Sequence, residues 1–203
     1  QYGLEANKAL TKSKEQIAKN VSCLPEEIVF TSGATEAINL ALKGYYLSHY
    51  SRSQHVITVK TEHKAVLDTC SWLEEIGAKV TYLNVDKDGL VNINEYQDAL
   101  RDNPLLVSVM HVNNELGTIN PIDEIGKVCF GAGILFHSDA AQAFGKIDID
   151  VNTMNIDMMS ISGHKIYGPK GIGILYKRND VDIESYIKGG DQEFSLRAGT
   201  ESL

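Results

Sequence analysis

Along the chain, short apolar runs alternate with longer stretches in which apolar residues recur every three or four positions. The runs are "EIVFT" (27–31), "HVITV" (55–59), "KVTYL" (79–83), "LLVSVM" (105–110), "GILFHSD" (133–139), "DMMSIS" (157–162) and "GILYKR" (173–178). The stretches between them predict helices over roughly 4–20, 34–49, 64–76, 93–102 and 121–131. Runs that are apolar on both faces and separated by amphipathic helices predict a mainly parallel sheet covered on both sides, an α/β fold of the three-layer α/β/α sandwich type. No repeat, linker or low-complexity segment interrupts the pattern, so residues 1–203 read as one unit.

Composition narrows the function classes without choosing one. Hydrophobic residues make up 43% and charged residues 23%, as in ordinary globular proteins. Nineteen Lys and Arg against 27 Asp and Glu give a net charge of −8, and no local basic patch offsets it, so nucleic acid is not expected as a partner. The sequence contains no apolar run of membrane-spanning length and no basic-then-apolar leader, which makes the cytosol the expected compartment and excludes a membrane partner from the reading. Cys23, Cys70 and Cys129 lie far apart without CxxC spacing, as reduced and mostly buried thiols would.

Three local patterns invite chemistry that their context refuses. "NVDKDGLVNINE" (84–95) has the oxygen positions, central Gly89 and final Glu95 of a calcium loop. It follows a strand rather than a helix, however, begins with Asn and has no paired loop, so a strand, an Asp-Gly turn and a new helix are expected there. "GHKIYGPK" begins like a phosphate-binding P-loop, but Pro169 and Lys170 stand where Lys and Ser or Thr belong. His137, Ser138 and Asp139 look like a hydrolase triad in print, yet strand neighbours point to opposite faces. The six histidines form no HExxH or Cys/His cluster, so no metal site is expected.

In open α/β sheets the site forms beyond the carboxyl ends of the strands. There the chain places "TSGATEA", "KTEHKA", "HVNNELG", "HSDAAQ" and "SGHK". One ligand would occupy all of these loops at once, namely pyridoxal 5'-phosphate, with its phosphate, protonatable ring nitrogen, phenol and aldehyde. Gly33, Ala34 and Thr35 would offer helix N-terminal amides and a hydroxyl to the phosphate. Asp139 would pair with the pyridinium, which keeps the ring protonated as an electron sink. Gln142 would donate to the phenolate, His63 would stack on the ring and remain available for proton transfer, and Lys165 would supply the amine for an imine. Each residue also has an ordinary reading. Thr35 fits a plain strand-to-helix turn, Asp139 a helix cap, His63 a core-edge position, and Lys165 a solvated loop.

The segments "TSGATEAINLALKG", "KTEHKAVLDT", "SVMHVNNELGTINPI", "HSDAAQAFGKIDID", "SGHKIYGPKGIG" and "KGGDQEFSLRAGTESL" together resemble cysteine desulfurases of the NifS/IscS type. These belong to the class V aminotransferase-like group of fold-type I pyridoxal-phosphate enzymes. The resemblance covers nearly the whole chain. It implies Lys165 as the Schiff-base lysine, Asp139 on the pyridine nitrogen, Gln142 on the phenolic oxygen and His63 on the ring, in agreement with the residue-by-residue reading. It further implies phosphate contacts from Ala34, Thr35, Ser162 and His164 and a cofactor or substrate contact from Asn114. Thr200 would reach the phosphate of a neighbouring subunit in a homodimer. The implied reaction removes sulfur from L-cysteine, leaving L-alanine and an enzyme persulfide that passes to a sulfur acceptor or iron–sulfur scaffold protein, for cluster assembly or tRNA thiolation.

The resemblance also implies a nucleophilic cysteine and a carboxylate-binding arginine downstream of "RAGT", and this sequence ends at Leu203. The expectation is therefore a PLP-binding large domain, incomplete at both ends, that holds the cofactor but does not complete desulfuration alone. Two rival readings keep the fold. One is another class V enzyme, such as an aminotransferase or a selenocysteine lyase, and the other is a non-catalytic dimerisation or scaffold fragment.

Overall fold

A computed structural model of the protein describes residues 2–200. Seven strands form one sheet: β1 (Ile28–Thr31), β2 (His55–Val59), β3 (Lys79–Leu83), β4 (Leu106–Ser108), β5 (Leu135–Asp139), β6 (Met158–Ser162) and β7 (Gly173–Lys177). Their order is β1-β7-β6-β5-β4-β2-β3. Neighbours pair in parallel except β7, which is antiparallel to both β1 and β6. Five helices pack on the sheet: α1 (Tyr2–Val21), α2 (Ala34–His49), α3 (Lys64–Glu75), α4 (Ile93–Leu100) and α5 (Ile122–Ala132).

Alternation along the buried strands sorts the side chains into two cores. Ile28, Phe136, Met159 and Tyr176 face α1, α4 and α5. Val29, Leu135, Met158 and Leu175 face α2 and α3 on the other side. Both faces are buried, which is why the strand runs read as continuously apolar. The expected three-layer α/β/α sandwich with a mainly parallel sheet is the observed fold.

Helix ends follow local chemistry. The Asn92 side chain accepts the Asn94 and Glu95 amides and starts α4. Gly133, at φ 65°, ends α5, and the next amide, Ile134, returns to the Cys129 carbonyl at 3.0 Å. That return explains why β5 begins at Leu135, later than its apolar run suggests. The fourth strand is also shorter than its run. Beyond Ser108, the Met110 amide leaves the ladder and donates to the Glu62 carboxylate at 2.5 Å.

Residues 84–95 adopt the expected strand, turn and helix. Asp86 Oδ1 accepts the Asp88 and Leu90 amides, and Glu95 folds back onto the Asn84 amide and side chain. These bonds turn the loop's carboxylates onto its own backbone.

Candidate functional site

The loops after β1, β2, β4, β5 and β6 open onto one cavity of about 550 Å³ at the carboxyl edge of the sheet. It brings together nine of the ten residues expected at the site, from Ala34 and Thr35 at one end to Ser162, His164 and Lys165 opposite, with His63, Asn114, Asp139 and Gln142 between. Thr200 is not among them. It lines a neighbouring pocket of about 280 Å³ with Ser13, Phe30 and Arg197. Residues 201–203, the end of the last matching segment, lie outside the described residues.

Each group is set by its own element. Gly33 caps α2, which presents the amides of Ala34, Thr35 and Glu36, none of which has an intrahelical acceptor. A methyl on Gly173 of β7 would come within 2.3 Å of the Gly33 carbonyl carbon, so the glycine pair lets strand and helix start approach at van der Waals contact. Glu36 stands in the same first turn. Its carboxylate accepts the Ser32 amide at 2.8 Å and Arg197 Nε at 2.9 Å. Burial works to raise its pKa, but the bonds from Arg197 and Ser32 outweigh this and hold it below the usual value. Its negative charge at the helix start is thereby matched by a cation.

His63 is the N-cap of α3, and its Nδ1 accepts the Ala65 amide at 3.1 Å. A neutral ring bonded in this way carries its proton on Nε2. Asp139 ends β5 at 4% exposure, and Oδ1 accepts the Ala141 amide at 2.9 Å. Burial pushes its carboxyl up, opposed by that amide and by His63. Among the described residues, no Lys or Arg forms an ion pair with it. Asp139 thus caps a turn (141–146) rather than the helix of its ordinary reading, while still facing the cavity. Gln142 Oε1 accepts Lys146 Nζ at 2.7 Å, which leaves its amide N–H groups as donors. Ser162 Oγ and His164 Nδ1 lie 2.8 Å apart. Lys165 is exposed in the short 3-10 turn that follows β6, with no partner among the described residues.

The printed triad dissolves into structure. His137 is fully buried between the Ser108 and Ser160 hydroxyls, each at 2.9 Å, while Ser138 Oγ donates to the Val109 carbonyl. Sequence reasoning missed Glu36, Glu62, Met110 and Lys170. Lys170 lines the cavity beside Gly171, and Glu62 sits behind the wall. For Glu36 the only signal is a capping-type acid in the first helical turn, because its partner Arg197 lies 161 residues away.

The donor set runs from anion-binding amides and hydroxyls through an exposed amine to a buried carboxylate. It fits an elongated ligand with an anionic end, an electrophilic carbon near Lys165 and a ring cation against Asp139. The buried Asp139 carboxyl, which no Lys or Arg among the described residues pairs with, is the most selective part of that fit.

Comparison with known proteins gives concordant results. The sequence model of the class-V aminotransferase family matches residues 1–201. A mitochondrial cysteine desulfurase of Drosophila melanogaster is 52% identical over 98% of this chain and 44% of its own length. A cysteine desulfurase IscS of Rickettsia rickettsii is 51% identical over 98% of this chain and 49% of its own. The chain spans about half the length of the curated relatives it matches. Among solved structures, SspA in complex with cysteine superposes with a TM-score of 0.95 at 49% identity, over 98% of this chain and 58% of that one. A NifS-like protein gives 0.94 at 42% identity, over 98% and 55%.

Proposed function

From the premise that this chain belongs to the class-V aminotransferase family, we propose that its cavity holds pyridoxal 5'-phosphate and serves a cysteine desulfurase. The observation that carries this reading is the convergence of Lys165, Asp139 and the α2 amides on one cavity from strand ends far apart in sequence. When bound, the cofactor supplies an electron sink that stabilises negative charge on the substrate carbons.

The chain's own groups supply binding and proton handling. The Ala34 and Thr35 amides, the Thr35 hydroxyl, Ser162 and His164 hold the phosphate. Asp139 would keep a proton on the ring nitrogen, Gln142 would donate to the phenolic oxygen, and His63 would stack on the ring with its Nε2 proton available. Lys165 Nζ would hold the cofactor through its aldehyde and, when free, would move protons at the substrate carbons. Asn114 contacts cofactor or substrate, and Thr200 contacts the phosphate of the neighbouring subunit in a homodimer.

The substrate is L-cysteine, and the products are L-alanine and a persulfide that passes to a sulfur acceptor or iron–sulfur scaffold protein. The attacking thiolate is not Cys23, Cys70 or Cys129. None of them lines the cavity, and burial pushes all three thiols up to about 12, away from the thiolate that attack requires. The compartment is the cytosol, with the mitochondrion as the alternative suggested by the fly relative's name.

Borohydride treatment of the full chain after mixing with pyridoxal phosphate, followed by mass spectrometry, tests the cofactor assignment. A pyridoxyl adduct on Lys165 that disappears in Lys165→Ala is the expected result. A folded protein with no adduct, or with one elsewhere, overturns it. Alanine formed from cysteine without a keto-acid acceptor separates desulfuration from transamination.

A further inference from the structure

Behind the cavity stands a group with no part in the chemistry above. Glu62 lies between Thr61 and His63 in the turn from β2 into α3 and is 6% exposed. Its Oε1 accepts the Met110 amide at 2.5 Å, and among the described residues its buried Oε2 meets no hydrogen-bond partner. Beside it, Asn113 Nδ2 donates to the Thr61 carbonyl at 3.0 Å, so this turn is tied twice to the loop after β4. That loop is fixed in turn to β5, where the Asp139 carbonyl accepts the His111 amide at 2.9 Å. Glu62 therefore sits where the strand ends bearing His63, Met110 and Asp139 are joined.

Two carboxylates in one apolar wall repel each other, and each needs donors to stay charged. Asp139 has the Ala141 amide, with His63 nearby, and opens to the cavity. Glu62 has one amide and an orphaned oxygen. Among the described residues, the ionisable groups acting on it are Asp139 from β5 and Cys70 from α3, and the β4 side contributes the Met110 amide. No cation is among them. Burial, and then Asp139, hold the Glu62 carboxyl well above its usual range.

We propose that Glu62 is a positioning residue of this site: carrying its proton, it clamps the His63 turn to the Met110 amide and leaves Asp139 as the one ionised carboxylate of that wall. The inference deepens the pyridoxal-phosphate reading and rests on it for the use to which Asp139 is put. Its test does not depend on that reading. Infrared spectra of the full chain at neutral pH, without cofactor, should show a protonated-carboxyl band that E62Q removes and D139N keeps. A band that survives E62Q, or is lost in D139N, overturns the proton assignment, as does a folded wild type without one.

The imidazole nitrogen-15 resonances of His63 read the positioning. Wild type and E62Q should hold the Nε2–H tautomer, and E62A should populate both tautomers. An E62A protein with the wild-type tautomer overturns the clamp. If E62A does not fold, E62D, whose stem is one methylene shorter, replaces it under the same criterion. In a pyridoxal phosphate titration, E62Q should stay within about twofold of wild type and E62A should weaken by about tenfold, the scale of one lost buried hydrogen bond. A tenfold loss in E62Q counts against the neutral acid. A wild type that binds no pyridoxal phosphate sinks the cofactor reading, while the band and the tautomer still decide the role of Glu62.

Discussion

Two buried aspartates bond at opposite ends of β5, Asp157 from just before β6 and Asp139 from the strand itself, and are treated differently. Beside the start of β5, Asp157 accepts the Phe136 amide at 2.8 Å and pairs with Arg178, which also holds Asp180. At the end, Asp139 has one backbone amide and the cavity. Both are more than nine-tenths buried, and burial pushes both carboxyls up. Among the described residues, the first has a cation of the chain's own and the second has none. A carboxylate that holds the fold together carries its partner in the same chain, whereas the proposed function leaves Asp139 for its ligand to complete.

The largest expected effect comes from the residue between them. Burial lowers the His137 pKa to about 3, far below the unfolded-chain value of about 6.5. The folded state therefore binds fewer protons than the unfolded one between those values. The His137 contribution is fully present above pH 6.5 and is lost as pH falls toward 3, on the order of 5 kcal/mol over the window. Denaturant titrations at stepped pH should show this limb, and His137→Gln should flatten it.

Next in size, Asp139→Asn should weaken pyridoxal phosphate binding by about 100-fold, because a buried charge loses its counterpart, while leaving the thermal midpoint of the cofactor-free protein unchanged or higher. Absorbance titration and calorimetry check the two halves. Asp157→Ala should do the reverse. It should cost about 2 kcal/mol of stability, less than a wholly buried pair because Arg178 is 41% exposed and regains water, and should leave cofactor affinity intact. If both aspartates behaved alike in these two assays, the contrast between them would fail. The smallest change expected is Glu36→Gln, about 1 kcal/mol or about 2–4 °C in a domain of this size, through the loss of the charged bond to Arg197.

The periodic segments carried most of the fold. α2 and β2 fall at the expected bounds because their apolar spacing agrees with their packing, with Gly33 before the helix and the polar turn 51–54 before the strand. The departures arise where a backbone amide finds a nonlocal acceptor or a helix closes on itself. Met110 bonds to Glu62, and Ile134 returns to Cys129. The site was legible where chemistry is unusual for its position, as with a lysine in a glycine-punctuated turn or an acid on an apolar strand. Glu62 was not, because glutamate is rarely buried and nothing adjacent in sequence reveals the Met110 amide that it receives. The Glu36–Arg197 pair was hidden for the same reason, since only the folded chain brings its members together.

The antiparallel β7 has a consequence for the order in which the molecule assembles. Ile28 pairs with Tyr176, and Gly33 packs on Gly173. A growing chain thus emerges with β1 and the anion-binding start of α2 early but without the strand that holds them in place. The parallel strands between can pair with one another first, and β1 must wait for the return strand before its amides are covered. Pulse-labelled hydrogen exchange during refolding should find β1 amides protected together with β7, so that ligand-binding competence is acquired at the close of folding.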